Sequence, residues 1–94
     1  MKPLMVRDRY QLDRRLGRGS YGEVYLGHHL ESGEEVALKL EYNQVNPSQL
    51  KNEVDIYKQL SGGSGIPQVY WYGSDCEFRI MAFELLGPRA IPSR

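Results

Sequence analysis

The stretch Leu16-Gly17-Arg18-Gly19-Ser20-Tyr21-Gly22-Glu23-Val24 decides how this chain is read. It spaces three glycines as G-x-G-x-x-G. Glycine has no Cβ, so such a run turns sharply and lets backbone N–H groups approach phosphate oxygens. The element after the last glycine separates the uses of the motif. A dinucleotide-binding unit needs a helix there and an acidic residue ~20 positions on. Glu41 stands at a suitable distance, but Glu23-Val24-Tyr25-Leu26 reads as a strand. Tyr10 to Leu16 also reads as a strand. The glycines therefore join two antiparallel strands as a flap. A glycine-rich hairpin without a ligand is the plainer reading of this stretch taken alone.

Downstream, Glu31-Ser32-Gly33-Glu34 reads as a turn. Val36 to Tyr42 then alternates with period two. Val36, Leu38 and Leu40 take one face, and Ala37, Lys39 and Glu41 the other. These strands predict an antiparallel meander. Asn46-Pro47 predicts a helix start, with Asn46 as N-cap and Pro47 in the first turn. The helix runs to about Leu60 and stops at Ser61-Gly62-Gly63. Gln68–Tyr72 and Phe78–Leu85 read as two further strands around a Gly73-Ser74-Asp75 turn. The predicted class is α+β: a five-stranded antiparallel sheet with one main helix.

At ~100° per residue, Leu50, Val54, Tyr57 and Leu60 share one helix stripe, and Glu53 falls inside it. A carboxylate on a buried face is costly unless paired. Lys39 is the natural partner, since it shares a strand face with Ala37 while the flanking leucines point away. The plainer alternatives are a Glu53 that reaches solvent at the stripe's edge and a Lys39 on a solvated strand face.

The chain has 94 residues, with 12 Lys+Arg against 12 Asp+Glu. That is one small domain with a thin core. Zero net charge argues against nucleic-acid binding and against a polybasic membrane surface. Lys2, Arg7, Arg9, Arg14, Arg15 and Arg18 face only Asp8 and Asp13 in the first 18 residues, so the charge is uneven. A nearby anionic ligand would account for it, and solvated surface arginines are the plainer reading. The longest apolar run, Ile80-Met81-Ala82-Phe83, is far too short for a membrane span. The single Cys76 cannot form an intrachain disulfide. With no signal-like segment, this fits the cytoplasm, the nucleus or both. His28 and His29 are adjacent on a strand and point opposite ways, which argues against a metal pair. Tyr70, Trp71 and Tyr72 read as core and sheet surface. No metal ligands are expected.

Three signals in order support one another. Val24 completes G-x-G-x-x-G-x-V, Val36-Ala37-Leu38-Lys39 ends 17 residues after Gly22, and Glu53 lies 14 residues beyond Lys39 in a helix. This order resembles the glycine loop, lysine strand and glutamate helix of protein kinases. Further matches are Lys39-Leu40-Glu41, Asn52-Glu53 with Ile56-Tyr57-Lys58, Gly62-Gly63-Ser64-Gly65-Ile66-Pro67, Trp71-Tyr72-Gly73 and Glu84-Leu85-Leu86-Gly87-Pro88. By these the chain resembles the casein kinase I family of Ser/Thr kinases from Tyr10 to Pro88. The resemblance implies a kinase N-terminal lobe over residues 10–88, with an N-terminal extension over 1–9 and a divergent tail over 89–94.

The resemblance also implies roles. Gly17, Gly19, Ser20 and Gly22 would form the phosphate flap. Leu16, Val24 and Ala37 would line the adenine slot. Lys39 would hold the α- and β-phosphates, positioned by Glu53. Phe83 stands at the gatekeeper position, where the family usually has Met, and Glu84 and Leu86 would meet the adenine edge through their backbones. ATP is the implied ligand. A working kinase also needs a catalytic-loop Asp and a D-F-G Asp, which hold proton and Mg²⁺. Neither motif occurs here, and Arg89-Ala90-Ile91-Pro92-Ser93-Arg94 departs from the family, with Pro92 arguing against its helix. The expectations are therefore no kinase activity for the chain as given, ATP affinity about millimolar or absent, and Mg²⁺ and protein substrates only for a full-length kinase. An exposed apolar edge around Phe83 would favour self-association. The alternatives are a non-catalytic lobe that docks on a kinase or regulatory protein, and a truncated gene product without function.

Overall fold

The computed structural model describes residues 5–18, 22–60, 63 and 65–85. Among them the elements are β1 (Met5–Val6), β2 (Tyr10–Arg18), β3 (Gly22–His29), β4 (Glu35–Tyr42), α1 (Gln49–Gln59), β5 (Val69–Asp75) and β6 (Phe78–Phe83). One antiparallel sheet runs in the order β1-β2-β3-β4-β6-β5, so β2, β3 and β4 form the expected meander. The chain is a small α+β domain. No helix among the described residues is long and apolar enough to cross a membrane.

The strands among the described residues number six rather than five. The additional one, β1, lies inside the stretch read as an extension. Val6 pairs with Tyr10 and is buried in the core. A two-residue strand with one buried side has no period to detect, and the charges after it mask the single apolar anchor.

The alternation along β4 divides the core as the sequence pattern requires. Val36, Leu38 and Leu40 pack with Val6, Tyr10, Ile80 and Ala82 on one face. Ala37 packs with Met81, Phe83, Leu50 and Val54 on the other, under α1. The first face is closed by the chain's own start. The Arg7 amide donates to Asp75 Oδ2 at 2.9 Å, the Arg9 guanidinium lies 5.6 Å from the Trp71 ring centre, and the Tyr10 and Trp71 rings are 6.2 Å apart. The β1–β2 hairpin thus curls over to β5, the opposite edge of the sheet.

Three local expectations are corrected. Gly73, Ser74 and Asp75 belong to β5 and pair with Ile80, Arg79 and Phe78. The turn is Cys76-Glu77, with Cys76 at φ 54°. Gly73 serves packing instead: a Cβ there would stand 2.6 Å from Cζ2 of Trp71, whose ring covers it. The helix cap is Ser48, not Asn46. Its hydroxyl, three residues before Lys51, accepts the Lys51 amide at 3.0 Å, and Pro47 stays in the connecting loop. Leu60, predicted on the apolar stripe, is 50% exposed because the helix has ended and the sheet no longer lies beneath it. Ser61 and Gly62 lie outside the described residues.

Candidate functional site

Strand register assembles the site. β3 pairs with β4 so that Val24 faces Lys39 and Leu26 faces Ala37, while β2 sets Gly17 against Val24. Directly paired residues in a sheet share a face. Gly17, Val24 and Lys39 therefore form one row on the helix side, continued by Met81 on β6. Across this row α1 brings Glu53. Lys39 Nζ donates to Glu53 Oε1 at 2.9 Å and Oε2 at 3.0 Å. The side chains are 11% and 20% exposed. Such a pair adds little net stability, since desolvation offsets its attraction, but removing one partner strands the other. Its value lies in holding an ammonium at a fixed point beside the apolar cluster under the helix.

The glycines divide by cause. At Gly22 a Cβ would run into the Leu40 carbonyl, so the close approach of β3 to β4 demands glycine. At Gly17 a Cβ would meet none of the described residues within 4 Å, and its φ lies outside the left-handed region. Among the described residues that space is open beside Val24. Gly19 and Ser20, with Tyr21, lie outside the described residues. Leu16 is half-buried.

The neighbouring row on the same face, Leu26, Ala37 and Phe83, is closed. Ala37 is 0% and Phe83 1% exposed, both packed with Leu50, Val54 and Met81. Phe83, expected on an exposed apolar edge with the hinge, is instead buried, while the hinge beyond residue 85 lies outside the described residues. Phe83 alternates with Met81 onto the helix face, and the helix covers it. Glu84 secures the exit from β6: its amide donates to the Gln68 carbonyl at 2.8 Å, and its Oε1 accepts the Gln68 amide at 3.1 Å. Leu86 lies outside the described residues.

Sequence reasoning met Glu41 only as a candidate acid for a dinucleotide fold and as part of Lys39-Leu40-Glu41, and missed both its buried role and Arg79. Glu41 is fully buried, and its carboxylate accepts from Ser48 Oγ at 2.6 Å, the Gln49 and Leu50 amides at 2.8 and 2.9 Å, and Arg79 Nη1 at 2.8 Å. Arg79 faces Glu41 across the β4–β6 register and also donates to the Val45 and Asn43 carbonyls. A carboxylate at a helix start accepts N–H groups that the helix leaves unpaired and meets the positive end of its dipole. Burial, the largest single influence, pushes the Glu41 pKa up; the bonds from Ser48, Leu50, Arg79 and Gln49 together outweigh it and hold it below the ordinary value. The available signal was position: Glu41 comes after Ala37 and Lys39 on the face where the helix must land.

The remaining candidates have structural uses. His28 Nδ1 is 2.9 Å from Asp13 Oδ2, and His29 stands edge-on to Tyr10 at 5.3 Å. Cys76 is exposed in its turn. No group of three or more His, Cys, Asp or Glu among the described residues could hold a metal ion. An open groove along the outer side of α1, lined by Pro47, Lys51, Asn52 and Ile56, touches the Lys39 site only at Glu53. No family model matches the sequence.

Proposed function

We propose that this chain is the ATP-binding lobe of a protein serine/threonine kinase similar to the casein kinase I family, whose members transfer the γ-phosphoryl group of ATP to protein Ser and Thr. The observation that carries the reading is the Lys39–Glu53 pair, both carboxylate oxygens on one ammonium, in a row with Val24 and Gly17. Kinases hold the α- and β-phosphates with such a lysine and position it with such a glutamate.

The phosphate end suits ATP: there is room at Gly17 and a fixed cation at Lys39. The adenine end does not, because Ala37 and Phe83 offer no surface until their neighbours move. Of the two expectations, millimolar or absent, the first applies because the phosphate end is in place: affinity of these 94 residues for ATP is weak, about millimolar. Phosphoryl transfer depends on a base and on carboxylates that hold Mg²⁺. These residues carry no motif for either, so the chain by itself does not catalyse transfer, and Mg²⁺ and protein substrate belong to a complete kinase. The closed adenine end favours a second reading, a lobe that docks on a kinase or regulatory protein without catalysis.

Titrating the isotopically labelled chain with ATP tests the first reading by NMR. Saturable shifts centred on Gly17, Val24 and Lys39, and lost in Lys39→Ala, are expected. Shifts that survive Lys39→Ala, or none near these residues, overturn it.

A further inference from the structure

The pairing of Lys39 with Glu53 needs something to set the height and rotation of α1 over the sheet. Apolar packing alone is a poor candidate. Only Leu50 and Val54 of the helix are fully buried, and hydrophobic contact has little directionality. The hydrogen bonds of Glu41 are directional, and they sit at the start of the same helix.

The spacings match. Glu41 and Lys39 are two residues apart on one face of β4, a distance of ~6.7 Å at the rise of an extended strand. Gln49 and Glu53 are four residues apart on α1, a rise of ~6 Å. Glu41 binds the helix at Ser48, Gln49 and Leu50, and Lys39 binds it at Glu53. Strand and helix are thus joined by two rungs of nearly equal spacing, one carboxylate-to-helix and one lysine-to-helix. Sliding or rotating α1 by one residue at the first rung would carry Glu53 away from the second. Arg79 braces the arrangement from β6. It pairs with Glu41 and takes the Asn43 and Val45 carbonyls, so the loop that delivers the helix is fixed too.

We propose that Glu41, braced by Arg79 and Ser48, is a positioning residue that keeps Glu53 on Lys39 before any nucleotide arrives. The pairing claim stands on the geometry; its use in ATP binding rests on the kinase reading. The Lys39 site is then preassembled within this one domain by a charge that never meets a ligand.

NMR of the labelled 94-residue chain without nucleotide tests this through the Lys39 ammonium resonance and its NOE to the Glu53 side chain. Glu41→Gln keeps the shape and removes the charge. It is expected to abolish the NOE while NOEs between β4 and β6 persist. Ser48→Ala, a milder change at a half-buried position, is expected to weaken the same signal and decides the matter where Glu41→Gln does not fold. Val36→Ala, on the opposite sheet face, lowers thermal stability and should leave the signal intact. An unchanged NOE in Ser48→Ala and in a folded Glu41→Gln overturns the proposal, as does its equal loss in Val36→Ala, which would mark general loosening. ATP is added only afterwards. Absent ATP shifts with the expected NOE pattern sink the kinase reading and leave the positioning role standing.

Discussion

Arg79 lies directly opposite Glu41 across β4 and β6, and the two close an ion pair at 2.8 Å around a carboxylate wholly removed from solvent. Breaking a buried pair by removing one partner typically costs ~3–5 kcal/mol. Arg79→Ala should fall toward the lower end of that range, because Ser48 and two amides still satisfy Glu41. Glu41→Ala should fall toward the upper end, since it strands Arg79 and the helix start together. Urea denaturation monitored by circular dichroism measures both, and a cost within experimental error for Glu41→Ala would contradict the account.

Acid should act on the same point. The folded pKa of Glu41 lies below its ordinary 4.5. A lowered carboxyl pKa stabilises the fold fully above the unfolded value, and the contribution is lost as pH falls through the folded value. Unfolding free energy should therefore decline below pH 4.5, and Glu41→Gln should flatten that decline. Parallel pH profiles for the two proteins would assign the acid sensitivity to other carboxylates.

The two described glycines of the flap should respond oppositely. Gly22→Ala forces a Cβ into the Leu40 carbonyl and should destabilise by ~1–3 kcal/mol, as overpacking does. Gly17→Ala meets open space and should change stability by no more than ~0.5 kcal/mol. The ATP-induced shifts should nonetheless diminish in Gly17→Ala, because the methyl group occupies the space left for phosphate. Thermal melts alongside the ATP titration separate the two effects.

Trp71 offers an optical check, being the only tryptophan in the chain. A Cβ at position 73 would stand 2.6 Å from its ring. Gly73→Ala should push the indole outward, shift its emission to the red and weaken its contacts with Tyr10 and Arg9. An unmoved emission maximum would mean that the ring does not rest on Gly73.

Inside β4 and α1, where side chains repeat with a period, the sequence was a good guide, failing only at Leu60 past the helix end. Val36 to Tyr42 assigned Ala37 and Lys39 to the helix face, and Leu50 and Val54 assigned Glu53 to the sheet side, so the Lys39–Glu53 contact could be foreseen. Single anchors were not legible. Val6 buries one side chain in a two-residue strand, and Gly73 marks a ring's resting place but reads as a turn. Glu41 stood out only for its distance from the glycines, a use the strand after Gly22 excludes. Its burial depends on Ser48, Arg79 and two backbone amides, partners that only the folded chain brings together. Asn46-Pro47 misled for a related reason: the better hydroxyl cap stood two residues later.

The curl that brings Arg7 to Asp75 and Arg9 onto Trp71 has a bearing on solubility. A flat six-stranded sheet would offer two outer strands, each with unpaired backbone groups able to recruit a neighbouring molecule. Here the outermost strands β1 and β5 are turned toward one another by a few contacts at the chain's start. Changes at residues 5–9 would loosen the contacts that turn both borders inward, and these contacts lie on the sheet face opposite the Lys39 row.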